Sequence, residues 1–436
     1  MRRRNVLSAA AAATAATLAT PAIAQGRLEW RMVTSWPMNL PGPGTAANKL
    51  AERITALSGG RLTVRVFGAG QIVPALGVFD AVSQGTAEMY HSVPSLWLSK
   101  LRGIGFFGSF PFGLTAQEHS AWINHGGGQA LYDEAYARFG IKPFLCGNSG
   151  PQWLGWFRRE IRSVEDFRGL RFRTAGLGGE MFRRVGATVV TLPGGEIFQA
   201  LQAGTIDAAE FVGPWTDAPL GFHQVAKNYY WPGVQEPSSA EECGVNKAAY
   251  DRLPDDLKLA IRMACQSLHD EVVTEYDHRH AVALRELVTR HGVVVREAPR
   301  DLLVALGNAA GEVLQSLRED QDPLTRRIAE AYVAFRSQSA EYMRYSYAGQ
   351  FARARPADPL GLSGERTDTI SQRGGSTAAM RTADGAACGV PPVRRRRSPH
   401  PPSRKAGWSG GWSRPGRATC RGRARRRRRW PTASPS

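Results

Sequence analysis

Three groups of polar residues stand at the ends of apolar runs, where they are placed to bind a small anion. Arg173 ends an alternating run, Glu210 follows two alanines, and Asn148 and Gln152 share a loop that contains glycine. An arginine presents a planar fork of donors that matches a carboxylate, whereas an ionised glutamate beside an apolar strand requires a cation nearby. Arg173 is therefore a candidate carboxylate clamp, with a surface position on its strand as the alternative. The partner of Glu210 is either Arg173 or a bound metal ion.

The signatures of several common enzyme classes are missing from residues 28–353. This region contains no GxSxG, no HExxH and no GxxxxGK[ST] pattern, which mark hydrolases, metalloproteases and nucleotide-binding enzymes. No histidine is close in sequence to Arg173 or Glu210, so a general base for a bound acid is not indicated. We predict a binding protein, and we keep an exported enzyme acting on a small organic acid as the alternative function.

The elements that position these residues are those of an α/β protein, because short apolar runs alternate with helical periodicities. The patterns predict strands at 28–35, 62–67, 88–92, 141–146, 170–173, 187–190 and 208–210, and helices at 46–57, 75–83, 180–185 and 196–203. We assign 25–146 mainly to a first lobe and 147–250 mainly to a second lobe. Long helical patterns over 251–355 are expected to brace the lobes or to form a dimer interface. Ligands of open α/β sheets bind at the carboxyl ends of strands, so the two lobes are predicted to share one cleft.

The first 24 residues have the pattern of a signal peptide. Three arginines precede an apolar stretch that ends at Ala22-Ile23-Ala24, a small-x-small cleavage site ahead of Gln25. We therefore predict export to the periplasm. The paired arginines also permit a twin-arginine address.

The last 81 residues, 356–436, differ from the rest of the chain. They contain 18 basic and 4 acidic residues, so they account for +14 of the formal net charge of +18. Only five are Leu, Ile, Val or Phe, which predicts a disordered tail. One interpretation is a basic arm for anionic lipid or nucleic acid. The interpretation that we favour is the product of a shifted reading frame, with no specific nucleic acid as a partner.

A series of motifs, in this order, resembles one family. They are TSWP at 34–37, GNSGPQWLGWF at 147–157, GLRFR at 169–173, DAAEFVGP at 207–214 and YYWPG at 229–233. Over about residues 28–353 the chain is similar to the solute-binding subunits of TRAP (tripartite ATP-independent periplasmic) transporters, in the branch that binds 2-oxo acids, lactate and related monocarboxylates. The resemblance implies a two-lobed periplasmic-binding-protein fold and a homodimer. It also implies a receptor that is not an enzyme and that delivers a small 2-oxo or 2-hydroxy monocarboxylate to a sodium-driven membrane permease.

The resemblance also assigns roles to individual residues. Arg173 matches the arginine that holds the substrate carboxylate, and Asn148 and Gln152 match polar residues of the same pocket. Glu210, the main-chain carbonyl of Phe211, and Glu236 match the ligands of a cation that bridges protein and substrate. With Arg173, a monoanionic acid and two ionised glutamates, a monovalent cation leaves one negative charge and a divalent cation leaves none. Sodium and calcium both stay open, since oxygen ligands suit either ion.

Overall fold

The computed structural model of the chain describes residues 26–346, all of which belong to one compact unit. The predicted signal peptide, residues 1–24, and the predicted tail, residues 356–436, lie outside the described residues. The described residues form eleven strands: β1 (Leu28–Thr34), β2 (Leu62–Phe67), β3 (Met89–Ser92), β4 (Ile141–Asn148), β5 (Gly155–Phe157), β6 (Arg171–Arg173), β7 (Thr188–Val190), β8 (Ala208–Ala209), β9 (Asn228–Trp231), β10 (Ala240–Asn246) and β11 (Val294–Glu297).

The strands form two sheets. The first has the order β2-β1-β3-β10-β4, in which β1 pairs in parallel with β2 and β3, and β10 is antiparallel to β3 and β4. The second has the order β11-β9-β5-β8-β6-β7, with β6 parallel to β7 and β8. We call each sheet with the helices packed on it the first and the second lobe. The predicted α/β class with two lobes is confirmed.

The chain passes between the lobes more than once. Strand β10 belongs to the first sheet, although it lies within residues 147–250, which the sequence assigned mainly to the second lobe. Strand β11 belongs to the second sheet, although it follows the longest helix, α11, in the C-terminal helical region. Several connections therefore join the lobes. Two of them, residues 149–154 and 232–239, run between the sheets.

Thirteen α-helices lie within the same residues: α1 (Pro43–Leu57), α2 (Val78–Ser83), α3 (Gly105–Gly108), α4 (Ala116–His125), α5 (Gly128–Ala137), α6 (Gly176–Arg184), α7 (Gly194–Ala203), α8 (Pro214–Asp217), α9 (Phe222–Val225), α10 (Lys247–Asp251), α11 (Asp255–His291), α12 (Arg300–Arg318) and α13 (Pro323–Met343). Helix α11 packs on α1 and β4 in the first lobe and on α8 in the second. Helix α12 packs on α6, and α13 packs on α4 and α5. The predicted bracing of both lobes by the C-terminal helices is confirmed.

Local capping chemistry sets several helix ends. Thr115 and Glu118 form a reciprocal capping box at the start of α4. The carboxylate of Asp322 accepts two main-chain N–H bonds at the start of α13. Gly292 ends α11 in the left-handed conformation that glycine adopts without steric cost. No helix within residues 26–346 combines the length and the apolar composition needed to cross a membrane.

The hydrophobic core is continuous across the lobes. One cluster of buried residues contains Val33 and Tyr90 of the first sheet together with Phe157 and Phe172 of the second. A second cluster likewise joins Met32 to residues of the other sheet. Burial of this apolar area stabilises the two lobes against each other, so the structure shows them packed together.

Candidate functional site

A small cavity lies where the two lobes meet. The first lobe contributes Ser35, Trp36 and Ser95, the second contributes residues that follow β6 and β8, and the connection between β9 and β10 contributes Glu236. The volume is about 50 Å³, whereas one water molecule requires at least about 10–15 Å³. The cavity therefore has room for a group of only a few heavy atoms.

Strand pairing brings Arg173 and Glu210 together at this cavity. Strands β6 and β8 are parallel neighbours, with Arg173 opposite Ala209, so Glu210 stands one residue beyond the strand end. The Glu210 N–H donates to the Arg173 carbonyl at 2.9 Å. Both side chains line the cavity, as expected for residues at the carboxyl ends of parallel strands.

Arg173 is buried, with 4 % of its surface exposed, so the alternative of a surface arginine is wrong. Its Nε–H donates to the Leu192 carbonyl at 3.0 Å, and Nη1–H donates to the Glu210 carbonyl. Nη1 lies 3.8 Å from Glu210 Oε2, and the guanidinium carbon lies 5.2 Å from the centre of the Phe211 ring. Burial lowers the pKa of Arg173, while the carboxylates of Glu210 and Glu236 raise it. The guanidinium stays charged, since its pKa begins far above neutrality.

Two buried carboxyl groups share the cavity with this single guanidinium. Burial raises the pKa of Glu210 to about 7, against the opposing effect of Arg173. Burial, followed by the charge of Glu210, raises the pKa of Glu236 to about 8. Thr174 donates its hydroxyl hydrogen to Glu210 Oε2 at 3.0 Å, whereas Glu210 Oε1 is buried without a hydrogen-bond partner among the residues that the structure describes. When both glutamates are ionised, the single positive charge of Arg173 therefore does not neutralise their two negative charges.

The two polar residues of the 147–152 loop differ in position. Gln152 lines the cavity; its Nε2 donates to Ser149 Oγ at 3.2 Å and its Oε1 is buried without a partner. Asn148 is fully buried at the end of β4, and its Oδ1 accepts the Gly150 N–H at 2.9 Å. Asn148 is not among the residues that line the cavity. The structure thus brings together Gln152, Arg173, Glu210, Phe211 and Glu236, whereas Asn148 shapes the loop that carries Gln152.

The residues at this cavity fit a hard cation. Glu210 Oε1 and Gln152 Oε1 are buried oxygens that accept no hydrogen bond from the described part of the chain. The Phe211 carbonyl also accepts no hydrogen bond from residues 26–346. Oxygen donors suit sodium or calcium and not the softer metals that prefer thiolate or imidazole. No group of three His, Cys, Asp or Glu side chains within the described residues is arranged to hold a metal, so a cation here needs main-chain and ligand oxygens as well.

Several residues that shape the site do not stand out in the sequence. Thr174 hydrogen-bonds Glu210, and the carbonyl of Leu192 holds the Arg173 guanidinium. The ring of Phe211 packs on the first residue of α7, Gly194, where an added Cβ would lie 2.5 Å from the ring. Asp217 hydrogen-bonds the main chain directly after Phe211. Thr174 and Asp217 have a sequence signal in their closeness to Arg173 and Glu210, whereas Leu192 and Gly194 have none.

Known proteins similar to this chain are bacterial solute-binding proteins. The profile of the family described as bacterial extracellular solute-binding protein, family 7, matches residues 33–321. The chain is 37 % identical over 347 residues to a monocarboxylate 2-oxoacid-binding periplasmic protein of Nostoc sp., across 78 % of this chain and 94 % of the relative.

Two solved structures are similar over most of their length. A TRAP transporter solute-binding protein from Bordetella bronchiseptica is 35 % identical with a TM-score of 0.74, across 76 % of this chain and 97 % of that one; it is a dimer with copurified calcium and picolinate. A TRAP periplasmic solute-binding protein from Pseudoalteromonas atlantica, with bound sodium and pyruvate, is 35 % identical with a TM-score of 0.73, across 75 % and 99 %.

The family profile covers more than half of the chain, and the relatives are matched over nearly their whole length. The resemblance found in the sequence is confirmed, and the alternative of an exported enzyme is not supported. The chain belongs to bacterial extracellular solute-binding protein family 7, the periplasmic receptors of TRAP transporters, which bind solutes for transport and are not enzymes.

Proposed function

We propose that this receptor binds a small monocarboxylate with a lone-pair atom next to the carboxylate, as in a 2-oxo or 2-hydroxy acid, and delivers it to a TRAP permease. The observation that carries the proposal is the buried guanidinium of Arg173 beside two buried glutamates in a cavity between the lobes. A cavity of about 50 Å³ suits a ligand of a few heavy atoms.

Arg173 serves as the carboxylate clamp. Its Nε and Nη1 already donate to the carbonyls of Leu192 and Glu210, which fixes the plane of the guanidinium. The donors that remain are therefore held in a defined orientation before the acid arrives. Preorganised donors lose less conformational entropy on binding, and charged hydrogen bonds to a carboxylate contribute about 1.5–3 kcal/mol each.

Glu210, Glu236 and the Phe211 carbonyl, with Gln152 beside them, form the second anchor as the ligands of a cation. When bound, the cation supplies positive charge for the two carboxylates and a Lewis-acidic centre for oxygens of the acid. Its presence is supported by the unpartnered oxygens of Glu210 and Gln152. Buried oxygens of this kind are otherwise costly to leave unsatisfied.

The ligands of two relatives support the class of acid. Pyruvate accompanies sodium in one structure, and picolinate accompanies calcium in the other. Both acids carry a lone-pair atom next to the carboxylate, the keto oxygen or the ring nitrogen, so that both can chelate a cation. A simple fatty acid of the same size lacks this second donor.

The charge at the site allows either ion. With both glutamates ionised, calcium gives a neutral site after the acid binds. With sodium, the site is neutral only if one carboxyl group keeps its proton, and Glu236, whose pKa burial raises to about 8, is the group that keeps it. Because a buried net charge is costly, Glu236 would keep its proton in a site that holds sodium and would be ionised in a site that holds calcium. The protein from Bordetella bronchiseptica is a dimer, and we propose that this chain is a homodimer too.

Calorimetric titration of pyruvate into metal-free protein, with sodium, with calcium and with neither, tests the proposal. We expect binding to require a cation and to be lost in Glu210→Gln, because the amide cannot supply a negative ligand. Glu196→Gln is the matched control, since Glu196 is an exposed glutamate of the same lobe. Equal affinity in all three buffers would exclude the cation as the second anchor.

A further inference from the structure

A fully buried carboxylate, Asp217, lies behind the segment that carries Glu210 and Phe211. Only 1 % of Asp217 is exposed. Its Oδ1 accepts the main-chain N–H groups of Val212 and Gly213, both at 3.2 Å. Its Oδ2 accepts the indole N–H of Trp156 at 2.9 Å and the hydroxyl hydrogen of Tyr229 at 3.1 Å. Burial raises the pKa of Asp217 to about 6, and the four hydrogen bonds oppose this effect because they favour the ionised carboxylate.

These hydrogen bonds fix the direction of the Phe211 carbonyl. In a trans peptide the C=O and the following N–H point in opposite directions, and Trp231–Pro232 is the only cis bond within residues 26–346. Because the Val212 N–H points at Asp217, the Phe211 carbonyl points away from it. The next carbonyl, of Val212, accepts the Trp153 N–H at 3.3 Å. The Phe211 carbonyl is thus the one of this pair that is left free beside the cavity.

We infer that Asp217 is a positioning residue for the cation site, which aims the Phe211 carbonyl into the cavity by holding the two peptides that follow it. The inference rests on the proposed cation site. Asp217 does not touch the cavity, since it is absent from the residues that line it. Its carboxylate acts through the main chain, and its negative charge also acts on Arg173 and Glu210. Both effects favour a cation at the Phe211 carbonyl.

Tyr229 offers a way to disturb Asp217 without removing it. The Tyr229 ring stacks between Trp153 and Trp156, with ring centres 4.2 and 3.8 Å apart. Tyr229→Phe keeps this stack and removes only the hydroxyl bond to Asp217. Tyr230→Phe is the matched control, because the neighbouring hydroxyl is also buried but bonds the main chain of Ile161 and not Asp217.

The strongest perturbation is Asp217→Asn. An asparagine of the same shape has one acceptor oxygen, so it cannot accept from both the loop N–H groups and the Trp156 indole, and its NH₂ group would face an N–H donor that then has no acceptor. Loss of a residue that orients a metal ligand typically lowers metal affinity 10–100-fold. We expect a loss of this size in calcium affinity for Asp217→Asn, a smaller loss for Tyr229→Phe, and none for Tyr230→Phe.

Two measurements separate positioning from general stability. Calcium titration at saturating pyruvate gives the cation affinity, and hydrogen exchange of the Glu210–Asp217 segment in metal-free protein reports the Val212 and Gly213 N–H bonds directly. We expect faster exchange in Asp217→Asn and Tyr229→Phe, with the pyruvate affinity at saturating calcium within about threefold of the wild type. Faster exchange together with weaker calcium binding supports the inference. If Asp217→Asn does not fold, the comparison of calcium affinity between Tyr229→Phe and Tyr230→Phe still tests the inference.

Failure of this inference differs from failure of the proposed function. If neither the wild type nor Glu210→Gln shows any dependence on a cation, the cation site itself is wrong. If Glu210→Gln loses the cation but Tyr229→Phe and any folded Asp217→Asn keep wild-type calcium affinity, Asp217 has no positioning role and the inference is overturned.

Discussion

Replacing Arg173 with lysine keeps the positive charge of the cavity and removes the planar fork. In the wild type, Nε and Nη1 donate to the carbonyls of Leu192 and Glu210. A lysine ammonium has three donors on one atom, and they cannot reach two separate carbonyls and a carboxylate in the same geometry. At least one charged hydrogen bond to the acid is therefore lost.

The loss of one charged hydrogen bond sets the expected size of the effect on pyruvate affinity. One charged hydrogen bond contributes about 1.5–3 kcal/mol, and each 1.4 kcal/mol changes affinity about tenfold. We therefore expect Arg173→Lys to weaken pyruvate binding by roughly 10- to 150-fold at saturating calcium. Burial enlarges the effect, because the ammonium also leaves a carbonyl unsatisfied.

Arg171→Lys is the matched control. Arg171 lies on the same strand two residues earlier, is exposed, and pairs with Asp207 at 2.6 Å. Exposed ion pairs contribute little, so this variant should bind pyruvate like the wild type. Calorimetry on both variants at fixed calcium makes the comparison. Binding by Arg173→Lys within twofold of the wild type would refute the fork as the carboxylate clamp.

Two further predictions concern the pH dependence of stability and the packing of the Phe211 ring. Burial raises the pKa of Glu210 and Glu241 from 4.5 to about 7, so the folded protein keeps these protons to a higher pH than the unfolded chain. The resulting stability is complete below about pH 4.5 and is lost as the pH rises to about 7, by up to about 3 kcal/mol for each group. Burial lowers the pKa of His91 to about 3 and that of His119 and His280 to about 4, which makes the opposite contribution below about pH 6.5. The test is therefore urea unfolding of the metal-free wild type and of Glu241→Gln from pH 4.5 to 8. The wild type should lose stability relative to the variant as the pH rises, and a difference that does not change with pH would contradict the prediction. Gly194→Ala should push the Phe211 ring, since its Cβ would lie 2.5 Å from that ring, and should lower stability by about 1–3 kcal/mol and weaken acid binding. Gly195→Ala, whose Cβ meets only Pro37 at 3.6 Å, should do neither in the same assays.

The fold was largely predictable because hydrophobic periodicity is local. The predicted strand at 170–173 and helix at 196–203 lie within a few residues of β6 and α7. The helix predicted at 180–185 begins earlier in the structure, because residues 176–179 form the first turn of α6. Three glycines in that stretch favour a turn by propensity alone. Packing decides otherwise, since a Cβ at Gly178 would lie 2.8 Å from the side chain of Gln235.

The candidate site was predictable only in part. Arg173 and Glu210 stand at strand ends in the sequence, but their meeting depends on β6 and β8 being neighbours, a pairing between segments far apart in the chain. Asn148 also stands at a strand end and still lies off the cavity, because it ends β4 of the first sheet and its side-chain oxygen accepts the Gly150 N–H. Asp217 was not found, since its donors come from three segments that only the fold brings together.

An excess of acid over base in the cavity makes the two ligands depend on each other. Among residues 26–346, Arg173 is the one basic side chain that lines the cavity, whereas Glu210 and Glu236 line it and Asp217 lies behind them. An organic acid that binds without a cation adds a third negative charge to a cavity that has two carboxylates and one guanidinium. A cation that binds without the acid leaves the guanidinium without a carboxylate to bind. Each ion therefore lowers the electrostatic cost of binding the other. By linkage, the factor by which the cation raises the affinity for the acid equals the factor by which the acid raises the affinity for the cation, so a receptor built in this way retains its ligands as a pair.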